Sequence, residues 1–355
     1  MHEDVKMYMD QADVVNALTA ATECSRVTAA HLGKDHVAFA SSLNNIALVH
    51  KESGNTTQAL NYYEEALRVY RASAGDEHPS TVSVIANLGL LYTRMAEGTR
   101  GLERQAILDT AQEYMEQALE SRKEILFPGA PIVSVTKSHL ANIRRLQKRL
   151  PAALELHEEA LRGLADKPGK EHRAYGDALN GYAVALKDAG RFDEAEAAYR
   201  EALALRLAAT HETHPDVLVT EFNLAECLLA KGDTQAALDI QKAMLERVGV
   251  EEDELSAGAY EGAELPGGLV IKGGALSSGE GGASLQGQRA LTPEEVASAR
   301  AAAALGSEEH SAAGASPSPA AAPEGDPQAP VRRTRSGKVI TDTPDPPTQA
   351  SGGGW

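Results

Sequence analysis

The chain has 355 residues, a formal net charge of −17 and only two cysteines, Cys24 and Cys227. Its acidic balance argues against nonspecific nucleic-acid binding, and two cysteines so far apart form neither a disulfide framework nor a zinc-binding pattern. No apolar run approaches the roughly 20 residues that span a bilayer, and the start of the chain lacks the basic and apolar regions of a signal peptide. We therefore expect a cytoplasmic protein with no nucleic-acid partner and no membrane insertion.

Small residues recur at a fixed interval through the first part of the chain. The interval is 42 residues apart from one of 52, and the positions are Ala47, Gly89, Ala141, Ala183 and Ala225. A second series follows 12 residues later, at Ala59, Ala153, Ala195 and Ala237. Self-similarity at a fixed period of this length predicts a stack of similar units, each packed on its neighbours.

Each unit has the pattern of two helices. In one copy, apolar residues recur at helical spacing over 40–51 and 58–70, and Gly54 lies where the first helix must end and the chain must reverse. Counting back from this copy places Met1 inside the first helix of a unit. We therefore expect six units in residues 1–250, the first of them slightly clipped, with either a further element capping this end or a truncated sequence.

One unit carries ten extra residues near 96–105. Insertions in stacked repeats form loops or lengthened helices on one face. We favour a neutral surface loop over a contact with a specific partner.

The composition changes near residue 250. Residues 251–355 are rich in Gly, Ala, Ser, Pro and Glu and poor in large apolar side chains, so they cannot bury enough surface to offset their conformational entropy. We predict a disordered, low-complexity tail with one possible short helix at 292–305, where Thr292 is a candidate N-cap, Pro293 the first helical residue and Glu295 the capping-box partner.

Several stretches carry a specific resemblance. They are LGKDH at 32–36 followed by LNNIA at 43–47, DEHP at 76–79 followed by ANLG at 86–89, and DEAEAAYREAL at 193–203. The pattern resembles the tetratricopeptide repeat, in the 42-residue variant of kinesin light chains and nephrocystin-3-like proteins. The resemblance implies an all-α helical solenoid of about six helix pairs, followed by the disordered C-terminal tail.

The resemblance also implies that the first helix of each pair lines a concave groove that binds extended peptides. Two positions before each small residue, a set similar to the family's asparagine ladder consists of Asn45, Asn87, His139, Gly181 and Asn223, with Asn180 beside the gap at Gly181. An Asn amide can donate to and accept from a peptide backbone at once. The alternative is that these side chains bind neighbouring helices instead.

A basic stripe follows on the same face, with Lys51, Arg94, Arg145 and Lys187 as its members. We expect these residues to attract acidic peptides. The alternative is an ordinary solvated helix face.

These patterns predict a non-catalytic adaptor that binds other proteins, with no cofactor and no metal. The histidines His36, His78, His172 and His214 each open a unit, and we interpret them as helix caps or loop packing rather than as ligands or catalytic groups. The alternative function is a structural component of a cytoskeletal or ciliary assembly, bound through the convex face or the insertion. A third class, ranked last, is a regulator whose own tail occupies the groove.

Overall fold

The computed structural model describes residues 2–10, 13–249, 264–265, 269–272 and 275–278. In these residues twelve helices follow one another, and the predicted all-α architecture is confirmed. Their bounds are α1 His2–Asp10, α2 Val14–Leu32, α3 Val37–Glu52, α4 Thr56–Ala74, α5 Pro79–Glu97, α6 Gly101–Ile125, α7 Pro131–Leu146, α8 Leu150–Asp166, α9 Arg173–Asp188, α10 Phe192–Ala209, α11 Pro215–Lys231 and α12 Thr234–Arg247.

The helices stack as six consecutive pairs, from α1/α2 to α11/α12. Each helix packs most closely on its neighbours in sequence, and each first helix also contacts the first helix of the next pair. Among the described residues, the second helices of adjacent pairs make no comparable contact. The odd-numbered helices therefore lie on the inner side of the stack, as expected for a repeat solenoid.

The small residues of the two periodic series lie where helices cross. All eight alanines of the two series are fully buried. A side chain at Gly89 would come within 3.1 Å of the Met115 Cε atom and 3.3 Å of the Ala111 carbonyl oxygen. The period in the sequence is therefore set by close helix packing.

The four repeat-opening histidines are N-caps, as predicted. The Nδ1 atoms of His36, His78, His172 and His214 each accept a hydrogen bond from the backbone N–H two residues on, over 3.0 to 3.2 Å. Each ring thereby satisfies one of the free amides at the start of a first helix. The described residues contain no group of three or more side chains able to hold a metal ion.

The insertion lengthens a helix. Helix α6 has 25 residues and begins at Gly101, and only Gly98, Thr99 and Arg100 separate it from α5. The short turn at Gly98 to Arg100 takes up few of the extra residues, and those from Gly101 onward are helical, whereas the favoured expectation is a surface loop. Leu102, at the start of α6, is 91% exposed.

Part of the predicted disordered tail forms a small sheet. Strands β1 (Glu264–Leu265), β2 (Leu269–Lys272) and β3 (Ala275–Ser278) pair antiparallel in that order. The sequence held a signal for it in the β-branched Val270 and Ile271 and the Gly-Gly pair that follows Lys272. The possible helix at 292–305 and the rest of the tail lie outside the described residues.

Two apolar clusters make up most of the core. One extends from Phe39 to Ile143 and the other from Leu164 to Ala237. None of the helices in the described ranges is long and apolar enough to cross a membrane.

Candidate functional site

All nine predicted site residues lie on first helices, and each is half-buried. This is the exposure expected of side chains that line the inner face of a stack. We call the surface of α3, α5, α7, α9 and α11 the groove. The residues are Asn45 and Lys51 on α3, Asn87 and Arg94 on α5, His139 and Arg145 on α7, Asn180 and Lys187 on α9, and Asn223 on α11.

In the N-terminal half of the groove, polar side chains tie adjacent repeats together. The Asn87 Nδ2 atom donates to Asn44 Oδ1 over 3.1 Å, and the Arg94 Nη1 atom donates to the Lys51 backbone carbonyl over 2.9 Å. The Lys51 ammonium lies 2.9 Å from Glu52 Oε1, and Glu52 Oε2 lies 4.0 Å from Arg94 Nη1. Asn87 therefore binds a side chain of a neighbouring helix, which is the alternative given above for the asparagine series.

Farther along the groove, the basic stripe is partly neutralised. The Arg145 Nη1 atom lies 2.8 Å from Asp188 Oδ2, and its Nε atom donates to Asn142 Oδ1 over 3.0 Å. Lys187 has no ion-pair partner within 4.0 Å among the residues that the structure describes. Three cations of the stripe thus have a partner inside the chain, and Lys187 has none among the described residues.

The C-terminal half of the groove contains a cavity of about 470 Å³, which we call the central cavity. Four of the predicted site residues line it: His139, Arg145, Asn180 and Asn223. Leu269 of β2 forms part of its wall and is 3% exposed, packed on Leu218, Phe222, Met244 and Leu245. The tail therefore reaches the groove through an apolar residue.

The hydrogen bond between Asn44 and Asn87 in the N-terminal half has no equivalent between the corresponding residues of the C-terminal half. Asn180 and Asn223 are separated by 43 residues, as Asn44 and Asn87 are, and occupy equivalent places in their repeats. Nevertheless, the Asn180 Oδ1 atom is buried and has no hydrogen-bond partner in the part of the chain that the structure describes. A buried acceptor without a partner is costly, so a donor from water or from a bound group would stabilise this site.

Gly181 carries no side chain, and the His157 ring of α8 lies directly behind its backbone. A Cβ atom at position 181 would lie 3.0 Å from His157 Cε1, so the ring needs the absence of a side chain there. His157 is 1% exposed, its Nδ1 atom is 3.4 Å from Ser138 Oγ, and its Nε2 atom is buried without a partner. His157 is not among the predicted site residues, because it lies on a second helix and the predicted groove consists of first helices.

Both histidines of the central cavity are neutral at physiological pH. Burial, aided by the positive charges of Arg122 and Lys51, lowers the pKa of His139 to about 4. Burial, with a smaller effect of Arg145, lowers the pKa of His157 to about 3. Each neutral ring has one N–H donor and one acceptor nitrogen.

Glu97, at the end of α5, also lines the cavity and is not among the predicted site residues. Burial raises the pKa of its carboxyl group to about 7, although Arg145, Arg94 and Arg104 act in the opposite direction. Its position in the insertion segment gave no periodic signal. The cavity lining thus combines neutral imidazoles, amides, a carboxyl group that titrates near neutrality, the Asp177 carboxylate paired to Arg206, and an arginine paired to Asp188. Its chemistry is hydrogen bonding to a largely uncharged group.

A family model described as Tetratricopeptide repeat matches residues 7–72, 38–97, 133–208 and 174–247. These overlapping segments cover more than half of the 355 residues. They agree with the repeats expected from the 42-residue interval.

Solved structures also resemble this chain. The crystal structure of BtubC (BKLC) from P. vanneervenii is 20% identical, has a TM-score of 0.52 and covers 67% of this chain and 93% of that one. A Podosopora anserina structure described as a kinesin light chain with nearly identical TPR-like repeats is 20% identical, with a TM-score of 0.47, and covers 61% and 99%. A comparison with curated proteins finds no match. The predicted tetratricopeptide repeats are confirmed by the family model, and the likeness to BtubC (BKLC) is one of fold.

Proposed function

The chain belongs to the tetratricopeptide repeat family, and on that premise we propose that it is a non-catalytic adaptor that holds an extended, acidic segment of another protein in its groove. Repeats of this family generally mediate protein–protein interactions. The observation that carries the proposal is the central cavity, because it opens on the first helices and presents a buried amide oxygen of Asn180 without a partner. An extended chain laid along these helices would supply donors to it.

The preference for an acidic segment rests on Lys187. The three other cations of the stripe have acidic or carbonyl partners inside the chain, so their charge is already compensated in part. Lys187 has no such partner among the described residues and is available to a carboxylate of the bound segment. A contact of this kind is half-exposed and therefore weakens as salt is added.

The test is selection of peptides from a displayed random library on the full chain, compared with a groove variant, Lys187→Glu. The matched control is Lys123→Glu, because Lys123 is an exposed lysine of the second helix α6, away from the groove. We expect the wild type and Lys123→Glu to recover the same acidic peptides, with affinities that fall as salt rises. We expect Lys187→Glu to bind those peptides about tenfold more weakly.

The outcomes separate the two parts of this proposal. Recovery of the same peptides with equal affinity by all three proteins would move the interface away from the groove. Recovery of neutral peptides that still depend on the groove would remove the acidic preference and leave the adaptor function. No enrichment of any peptide would contradict the adaptor function itself.

One observation favours the second candidate, a structural component of a cytoskeletal or ciliary assembly. The insertion extends α6 and places Leu102 at its start, almost fully exposed. A large apolar side chain presented in this way is suited to a contact with another subunit. In that case a Leu102→Ser variant loses assembly in cells while its fold and its peptide binding are unchanged.

The proposed location is the cytoplasm, with the cytoskeleton or a cilium as alternatives. It rests on the cysteines, since Cys24 and Cys227 are both buried and unpaired. Free buried cysteines are typical of reducing compartments.

A further inference from the structure

The break in the asparagine ladder, at Gly181, lies in the wall of the central cavity. At Gly181 no side chain projects into the groove, whereas the equivalent positions in three other repeats carry Asn45, Asn87 and Asn223. The opening leads to His157, whose ring lies close behind the Gly181 backbone and is 1% exposed. A ligand that contacts the His157 ring must therefore pass the first-helix layer at this point.

The depth of His157 limits what can reach it. The ring belongs to α8, a second helix, so it lies behind the surface over which a peptide backbone would run. A backbone lying along α7 and α9 can contact Asn180, but only a side chain can extend through the gap to His157. The apolar wall formed by Val184, Val219 and Phe222 suits the methylene stem of such a side chain.

Two buried polar atoms of residues that line the cavity have no hydrogen-bond partner among the described residues, and they limit the groups that can fill it. Asn180 Oδ1 requires a donor. His157 Nε2 donates if Ser138 donates to Nδ1, and accepts if Nδ1–H donates to Ser138. A carboxylate has no donor for Asn180. An ammonium serves both atoms only when Nε2 accepts, whereas a hydroxyl has one atom for two partners. A planar carboxamide offers a donor and an acceptor on separate atoms and serves both walls at once.

The charges around the cavity agree with an uncharged ligand group. The Arg145 guanidinium is already bound to Asp188 and Asn142, and the histidine rings are neutral at physiological pH. A carboxylate would lose its hydration without gaining an unpaired cation, which is expensive in a buried site. Acidic residues of a bound segment would instead lie nearer Lys187.

We propose that the central cavity is an anchor pocket for the side-chain carboxamide of a glutamine or asparagine in the bound segment. This inference rests on the proposed function, because it names the residue by which the groove recognises its partner. Gly181 opens the pocket, and Asn180 and His157 bind the amide. The break in the asparagine ladder thus selects one residue type in the bound segment, whereas the asparagines on either side of it bind the segment's backbone with less selectivity.

The test uses the full chain and two glycine variants of the same helix. Gly181→Ala places a methyl group 3.0 Å from His157 Cε1 and closes the opening. Gly176→Ala is the matched control, because its Cβ would meet only Leu205 Cβ at 3.8 Å, an ordinary contact, and the residue does not line the cavity. Both variants exchange glycine for alanine inside α9, which favours helix, so neither is expected to unfold it.

A displayed library of random peptides is selected on the three proteins. We expect the wild type and Gly176→Ala to recover peptides that share a Gln or Asn at one position. Replacing that residue by Glu or Leu lowers the affinity about 10- to 100-fold, because the buried polar atoms lose their partner. Gly181→Ala binds the amide-containing peptides more weakly by a similar factor, and no longer distinguishes them from the Leu-substituted peptides.

The failures are distinguishable. Shared peptides with Asp, Glu, a hydroxyl or an apolar side chain at the common position overturn the carboxamide pocket and leave the adaptor function standing. Equal binding of the amide-containing peptides by Gly181→Ala and the wild type also overturns it. An absence of any enriched peptide on all three proteins overturns the proposed function and this inference with it.

Discussion

In the N-terminal half of the groove Asn44 binds Asn87, whereas in the C-terminal half the equivalent Asn180 leaves its amide oxygen without a partner. Around the first pair, Arg94 also binds across to the preceding repeat. Around the second lie Gly181, the buried His157 ring and a cavity of about 470 Å³. The same places in the repeat therefore tie helices together in one half and face an opening in the other.

The difference shows how a repeat array can separate stability from recognition. A side chain that binds the next repeat stabilises the stack, and a side chain without an internal partner is available to a ligand. The two halves should consequently respond differently to equivalent substitutions.

The largest expected effect is on stability in the N-terminal half. Arg94→Ala removes the bond to the Lys51 carbonyl and a positive charge near Glu52 and the buried Glu97, so we expect a loss of about 3 kcal/mol in the free energy of unfolding. Lys187→Ala, the control in the C-terminal half, should change it by less than about 0.5 kcal/mol. Denaturant unfolding of both variants measures this. Equal losses would mean that the halves do not differ.

The next effect concerns Glu97, which lies between Arg94 of one half and Arg145 of the other. Burial raises the pKa of this carboxyl group to about 7, above its value in the unfolded chain, so its ionisation destabilises the fold. The penalty is absent below the unfolded pKa and complete above about pH 7. Glu97→Gln should therefore be more stable than the wild type by about 2 kcal/mol at about pH 8, with little difference near the unfolded pKa.

Denaturant unfolding of the wild type and Glu97→Gln, from near the unfolded pKa to about pH 8, measures this difference in the free energy of unfolding. Parallel stability curves would show that Glu97 titrates normally and that the arginines compensate its charge fully.

A smaller effect separates the paired asparagines directly. Asn44→Ala leaves the Asn87 amide without its partner and should cost about 1 kcal/mol. Asn180→Ala removes a buried oxygen that has no partner, so it should leave stability unchanged or raise it slightly. Thermal or denaturant unfolding of the two variants gives the comparison. A similar loss in both would indicate that Asn180 is also bound internally.

Much of the fold was predictable because packing repeats with the sequence. The buried alanines, the capping histidines and the placing of all nine site residues on first helices follow from the 42-residue interval. The internal partners of the stripe were less evident, yet they left a signal. Asn44 and Asn87, Lys51 and Arg94, and Arg145 and Asp188 are each separated by 43 residues, one more than the repeat.

The rest of the site does not follow from the period. His157 belongs to a second helix, and its ring packs against Gly181, which lacks a side chain. This contact joins two repeats that differ from the pattern. Glu97 lies in the insertion segment, which occurs once. Irregular residues such as these have no counterpart elsewhere in the chain from which their contacts could be inferred.

The central claim is that the C-terminal half of the groove binds the partner. Its most direct test is amide hydrogen exchange of the full chain with and without a saturating peptide recovered from the displayed library. We predict that protection rises in α7, α9 and α11 and stays unchanged in α3 and α4. Protection that rises mainly in α3 and α5, or in the second helices, would contradict it.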